Sequence, residues 1–184
     1  MQPSNSVLAD IEEQAKHEYL PIVGSEQAEY LEWLIREQRP CTIVDAGTMT
    51  GYAAIRMARN LQDGCSVTGI EIANDLKLRA EANISLAGLS DKIQVRLGDA
   101  AEIIGTLVGP IDLLFLDSSR SQYLQCLRRA EPKLSPGALI VANGTGLHAR
   151  LLTTYLAYVR ESSRYESDSH AFGADAMEVS RFLG

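Results

Sequence analysis

The chain has 184 residues with 46% apolar and 22% charged content, enough for one compact core and too apolar for a disordered segment. Its formal net charge of −7 argues against holding a polyanion through a global basic field, so nucleic acid is not the expected partner. No run approaches the ~18 apolar residues of a membrane span, and the opening Met-Gln-Pro-Ser-Asn-Ser lacks the basic start and apolar centre of a signal peptide.

In chain order, Leu8, Ile11 and Ala15 fall on one face of a helix expected from about Val7 to Tyr19. Pro21 and Gly24 interrupt it. Ser25 can cap a second helix, with Glu26 and Glu29 near its positive end and Leu31, Leu34 and Ile35 as its buried stripe. Arg39-Pro40 leads into a buried strand from Cys41 to Val44. An acid, Asp45, follows, then a turn framed by Gly47 and Gly51, then a helix starting near Tyr52. The two glycines permit positive backbone torsions and close ligand approach. Free amides in the helix's first turn favour an anionic or strongly polar group. The acceptor-only Asp45 carboxylate suits an ammonium, amide or hydroxyl donor.

Strands and helices then alternate. Strands are expected over Val67–Ile72, Ile93–Leu97, Ile111–Leu116 and Ala138–Ala142, the fourth of the chain being the most apolar and hence central. Helices are expected over Asp75–Ala87, in a short piece after Gly98-Asp99, over Tyr123–Leu134 and over Leu147–Val159. The tail reads as two strands, 164–170 and 176–183, joined at Gly173-Ala-Asp as an antiparallel hairpin. The pattern predicts a single α/β domain over residues 1–184: a doubly wound, mostly parallel seven-stranded sheet with a C-terminal hairpin, its site covered by the helices of residues 1–40. Cys41, Cys65 and Cys126 are odd in number and widely spaced, with no Cys-x-x-Cys pair; they read as reduced thiols in a cytoplasmic protein.

Ligands of such sheets bind beyond the carboxyl ends of the strands, where strand order reverses. The informative residues are therefore Asp45, Glu71, Gly98-Asp99, Asp117 and Asn143. Gly47-Thr-Met-Thr-Gly51 has Met49 where a dinucleotide fingerprint has its middle glycine, and it is no phosphate loop either. Glu71, twenty residues beyond Gly51, can accept both hydroxyls of a ribose.

Four stretches together resemble the class I S-adenosylmethionine-dependent methyltransferases, and within them the small catechol-type O-methyltransferase family. Val44-Asp-Ala-Gly-Thr-Met-Thr-Gly-Tyr52 looks like the family's first motif, acid-x-Gly-Thr-x-x-Gly-Tyr-Ser. Ile70-Glu-Ile, with Ala80-Glu-Ala-Asn83 and Ala87-Gly-Leu, looks like its second strand and helix. Ile93-Gln-Val-Arg-Leu-Gly-Asp-Ala100 looks like its third strand. Leu113-Leu-Phe-Leu-Asp117, Tyr123 and Leu134-Ser-Pro-Gly-Ala-Leu-Ile-Val141 follow its fourth and fifth strands. The resemblance implies S-adenosylmethionine as cofactor. Gly47, Thr48, Gly51 and Tyr52 would lie at its methionine portion, with Asp45 near the amino group. Glu71 and Ile72 would hold the ribose; Gly98, Asp99 and Ala100 would border the adenine; Asp117 would form the floor between cofactor and acceptor. Pro21 to Glu26 resembles the segment covering the methionine end. A homodimer is compatible with the resemblance.

Metal-dependent family members place a diol on a divalent cation, held by an acid after strand four and an Asp-Asn pair after strand five, with a lysine base three residues beyond the first acid. Here Asp117 keeps the acid, but Arg120 takes the lysine position and Asn143-Gly144 the pair. A guanidinium is a donor-only cation and no general base, and Gly144 has no side chain. The expectation is therefore small-molecule O-methylation without Mg²⁺, with Asp117, Arg120 and His148 as candidate catalytic groups and Arg120 an anchor for an acceptor carboxylate or phosphate. His17 and His170, Tyr30 and Trp33 read as exposed or packing residues. The alternative is a protein of the same fold that binds the cofactor without catalysis; a nicotinamide-dependent reductase is a third reading. No Asn/Asp-Pro-Pro-Tyr motif points to nucleic-acid bases.

Overall fold

The computed structural model describes residues 3–184; Met1 and Gln2, which begin the stretch read as lacking a leader, lie outside the described residues. Helices α1 (Pro3–Glu18) and α2 (Ser25–Gln38) precede β1 (Thr42–Ala46), α3 (Tyr52–Ala58), β2 (Ser66–Glu71), α4 (Asn74–Leu86), β3 (Ile93–Leu97), α5 (Ala100–Thr106), β4 (Ile111–Leu116), α6 (Tyr123–Ala130), β5 (Leu134–Asn143), α7 (Thr153–Glu161), β6 (Tyr165–Phe172) and β7 (Asp175–Phe182). The seven strands are ordered β3-β2-β1-β4-β5-β7-β6. The first five are parallel and β7 runs antiparallel to both neighbours.

The period-two alternation of strand side chains sorts the core into two layers. Ile43, Leu113, Phe115, Leu139 and Val141 point to the face covered by α1 to α4. Val44, Ala46, Leu114, Leu116, Ile140 and Ala142 point to the face covered by α5 to α7. Both faces are buried, so β4 is apolar at every position from Leu113 to Leu116, with Asp112 near its amino end. Chain order reverses between β1 and β4, which places a crevice at their carboxyl ends.

Several local expectations change. Ser25 does not cap α2: Gly24 holds the cap position, and no side chain bonds to the free amides. Strand β5 begins at Leu134 and runs through Pro136-Gly137, because Leu134 pairs with Ile111 before the register shifts. Helix α6 stops at Ala130 and continues as a 3₁₀ turn. Helix α7 starts at Thr153, so His148 sits in an exposed turn instead of opening a helix. The reduced-thiol reading is also corrected. Cys41 and Cys65 form a disulfide across the amino ends of β1 and β2, which removes the thiol argument for a cytoplasmic setting. Cys126 is free, and burial pushes its thiol up to about 12, making it inert. Among the described residues no helix is long and apolar enough to cross a membrane.

The two N-terminal helices are clamped down by charge. Glu32 on α2 bonds Arg56 of α3 and Arg59 just beyond its end, while Glu12 on α1 accepts from Arg56 and from the Tyr52 hydroxyl. Tyr30 packs against Trp33, His170 and Phe172, so these residues serve packing between α2 and the hairpin. His17 is exposed near Glu13.

Candidate functional site

The crevice at the carboxyl ends of β1, β2 and β4 is a cavity of about 300 Å³. Of the residues singled out from sequence, it brings together Gly47, Thr48, Tyr52, Glu71, Ile72, Gly98, Ala100, Asp117 and Arg120. Pro21, Ile22 and Val23 close one side of it.

The glycine turn is shaped by close packing. Gly47 has φ 103° and Gly51 φ 88°, and Met49 joins them in the left-handed region at φ 50°. A Cβ on Gly47 would stand 2.5 Å from the Asp117 carbonyl oxygen, so the turn lies directly against the end of β4. Its amides point inward. Gly47 and Thr48 donate to the Ile70 carbonyl, and Met49 donates to Glu71 Oε2 at 2.8 Å. These three turn amides are therefore engaged and offer a pyrophosphate no cradle. Glu71 accepts from Ala73 through its other oxygen, at 2.9 Å. It is buried, braces the turn and lines the cavity, and each of its oxygens can accept a further hydrogen bond.

Asp45, Gly51, Asp99 and His148 do not line the cavity. Asp45 is fully buried beneath it, and neither carboxylate oxygen has a partner. Burial pushes its pKa up to about 7, with repulsion from Asp117 and Glu71 adding to the rise. Asp99 caps α5 by accepting from the Glu102 amide and also accepts from Gln122. Gln122, which sequence reading missed, takes the place in the lining.

Asp117 sits at the centre of the remaining polar groups. Burial pushes it up to about 7 as well, against the opposing Asn143 hydrogen bond and Arg120 charge. Asn143 Nδ2 donates to Asp117 Oδ1 at 3.0 Å, and Gln27 Nε2 donates to Asn143 Oδ1 at 3.1 Å and to Asp175 at 3.2 Å. Arg120 Nη1 lies 3.6 Å from Asp117 Oδ1 and donates to the Ser118 carbonyl at 2.7 Å. Its guanidinium stacks over Tyr123, 5.6 Å from the ring centroid. Gly144 gives it room: a Cβ there would stand 2.8 Å from Arg120 Nη2. Gln27 and Asp175 carried no local signal, being polar residues remote in sequence from the site they complete.

With this geometry in place, the sequence matches the family described as O-methyltransferase over residues 2–155. The chain belongs to the O-methyltransferase family. Catechol O-methyltransferase of Mus musculus is 30% identical over 172 residues, covering 90% of this chain and 64% of that protein. Catechol O-methyltransferase B of Danio rerio is 31% identical, covering 97% and 72%. The chain thus spans about two thirds of the length of these relatives, 61% in the Bos taurus case. Among solved structures, the O-methyltransferase TomG from Streptomyces achromogenes in complex with SAM aligns with a TM-score of 0.90 at 21% identity, over 97% of this chain and 90% of that one. The Bacillus cereus O-methyltransferase in complex with SAH aligns at 0.88 and 21%, over 96% and 90%. At these identities the two structures establish the Rossmann-like methyltransferase fold, which this O-methyltransferase-family chain shares.

Proposed function

We propose that the cavity binds S-adenosylmethionine and that the protein methylates a small molecule at oxygen without a divalent metal. The observation that carries the reading is the inward-facing glycine turn braced by Glu71 at the switch point, within an O-methyltransferase-family chain. The turn suits a ligand that needs close backbone approach without a phosphate cradle. On this reading Glu71 would accept the ribose hydroxyls and Asp117, also in the lining, would face the cofactor's ammonium.

The metal implied by the family does not fit the residues present. Asn143 has one oxygen to offer a cation, and Gln27 already donates to it. Gly144 offers no ligand, and the Arg120 guanidinium stands beside Asp117 as a fixed positive charge. Among the described residues no cluster of three or more His, Cys, Asp or Glu could hold a metal. The chemistry therefore rests on alignment: an activated sulfonium and a nucleophile held in line already account for much of a methyl-transfer rate.

Calorimetric titration with S-adenosylmethionine and S-adenosylhomocysteine, with NADH as control, tests the reading. Micromolar binding of both sulfur ligands, unchanged by Mg²⁺, is expected; no binding of either would sink it. A companion variant checks the metal argument. Gly144 has φ 73°, a torsion Asn tolerates, but Gly144→Asn alone drives its Cβ into Arg120. That single variant should lose stability and gain no metal. Arg120→Lys combined with Gly144→Asn removes the clash and adds a ligand oxygen. It alone should show Mg²⁺ binding by calorimetry, a non-additive gain. Mg²⁺ binding by the wild type would contradict the assignment. Turnover with any acceptor separates the enzyme from a protein that only binds the cofactor, a reading motivated by the missing base and metal ligands.

A further inference from the structure

Charge is unevenly spread along this acidic chain. From Ser118 to Arg160 it carries Arg120, Arg128, Arg129, Lys133, Arg150 and Arg160 against a single acid, Glu131, although the whole has a net charge of −7. That stretch supplies α6 and α7, which cover the same face of the sheet. Three of its charges are engaged. Arg120 lies beside Asp117, Arg160 pairs with Glu178, and Glu131 is taken by Arg164 and by the Tyr158 and Tyr165 hydroxyls. Arg128 and Arg129 are exposed, and neither guanidinium has a carboxylate partner among the described residues.

Helix α6 buries Tyr123, Cys126, Leu127 and Ala130, so Gln125, Arg128 and Arg129 fall on its outer face. With Ser121, Leu124 and Thr154 of α7 they line an open groove of about 490 Å³, and no acid is in that lining. Neighbouring side chains restrict both arginines. Arg128 lies over the Tyr158 ring, 5.2 Å from its centroid. A Cβ on Gly105 would stand 3.6 Å from Arg129 Cδ, so the stem of Arg129 rests against α5. A guanidinium lying over a ring keeps its in-plane donors for oxygen ligands. Two like charges on one groove repel, and an anion between them offsets that cost. Guanidinium forks match phosphate oxygens through paired N–H bonds, and a phosphoryl dianion balances two of them where a carboxylate balances one. The Thr154 hydroxyl can add a further donor.

We propose that the α6 groove is a second ligand site, distinct from the cavity, in which Arg128 and Arg129 hold a phosphoryl group. The short turn Arg120–Gln122 connects the two sites: Arg120 and Gln122 line the cavity, and Ser121 lines the groove. At 1.5 Å per helical residue, Arg128 lies roughly 10 Å along α6 from that turn. The phosphoryl group therefore belongs either to an acceptor whose reacting end lies in the cavity or to a separate phosphorylated effector. The groove's chemistry is the same for both.

Pyrophosphate is the probe, titrated calorimetrically into the full chain at low salt, a measurement independent of the cofactor reading. A dissociation constant below about 1 mM is expected, weakening as salt is added. Saturating S-adenosylhomocysteine should leave it within about twofold, because the cavity is a different site. Arg128→Gln combined with Arg129→Gln should weaken binding by roughly tenfold or more, with the melting temperature unchanged. Lys16→Gln, which removes an exposed cation on α1, should leave it unaltered. Undetectable binding at millimolar pyrophosphate, full binding by the double variant, or displacement by S-adenosylhomocysteine would each overturn the site. A second arm rests on the cofactor reading and separates the two sources. It compares phenylbutyl phosphate with butyl phosphate on the chain saturated with S-adenosylhomocysteine. A gain of roughly tenfold from the ring assigns the phosphoryl group to an acceptor that enters the cavity. Equal affinities assign it to an effector.

Discussion

Gly47→Ala should cost about 3–5 kcal/mol of stability, from positive-φ strain and steric overlap together. Residue 47 holds φ 103°, a region that costs an L-residue roughly 1–2 kcal/mol. The new methyl carbon would also stand 2.5 Å from the Asp117 carbonyl oxygen, 2.7 Å from its carbon and 2.8 Å from the Ser118 nitrogen. These are backbone atoms at the end of a central strand, so relief means separating β1 from the chain after β4. Gly64 is the matched control. It has φ 83° and nothing within 4 Å of its missing Cβ, so Gly64→Ala should cost only the torsional share. Urea denaturation of the two variants separates strain from overlap. Equal losses would mean that the close approach at Gly47 carries no weight. Gly47→Ala should also abolish measurable S-adenosylhomocysteine binding, since the same carbon displaces the cavity floor at Asp117 and Ser118.

The architecture was legible because its causes are local and periodic. Alternating apolar positions set both faces of β1 and β4, turn residues separated the elements, and the acids after each strand pointed to the correct end of the sheet. What escaped the sequence depends on distant partners. The expected start of α7 at Leu147 fails because Asp175, from the hairpin, accepts the amides of Gly146 and Leu147 and holds that stretch as a turn. Gln27 looks like a polar helix residue until the fold brings it to Asn143 and Asp175. Asp45, expected near the ligand's amino group, is fully buried and outside the cavity lining. The disulfide did leave a signal. If β1 and β2 are parallel neighbours with Thr42 opposite Ser66, then Cys41 falls opposite Cys65. That register was not fixed by sequence alone, and the odd cysteine count pointed the other way.

Burial of Asp45 and Asp117 at the crevice sets how stability responds to pH. Asp45 titrates at about 7 in the folded chain, raised first by burial and then by Asp117 and Glu71, against an ordinary value of 3.8. The folded state therefore holds its proton more tightly than the unfolded chain does. Between about pH 4 and 7 folding takes up protons, so stability falls as pH rises. The contribution is fully present below about pH 4 and gone above the folded value. At ~1.4 kcal/mol per pH unit, Asp45 alone accounts for at most ~4 kcal/mol, and Asp117 acts in the same window. For a chain of this size the melting temperature should drop by roughly 5–10 °C between pH 4.5 and 8. Asp99 works in the opposite sense and at lower pH, because the Glu102 amide and the Gln122 side chain hold its carboxylate below the usual range. Asp45→Asn, neutral at every pH and close in size, should flatten the profile; the slope is the readout, since a buried amide without partners also lowers the plateau. An unchanged slope in that variant would assign the titration elsewhere. Saturating S-adenosylhomocysteine should flatten the profile too. On the cofactor reading its ammonium would face Asp117, stabilise the ionised acid and bring its raised pKa back down.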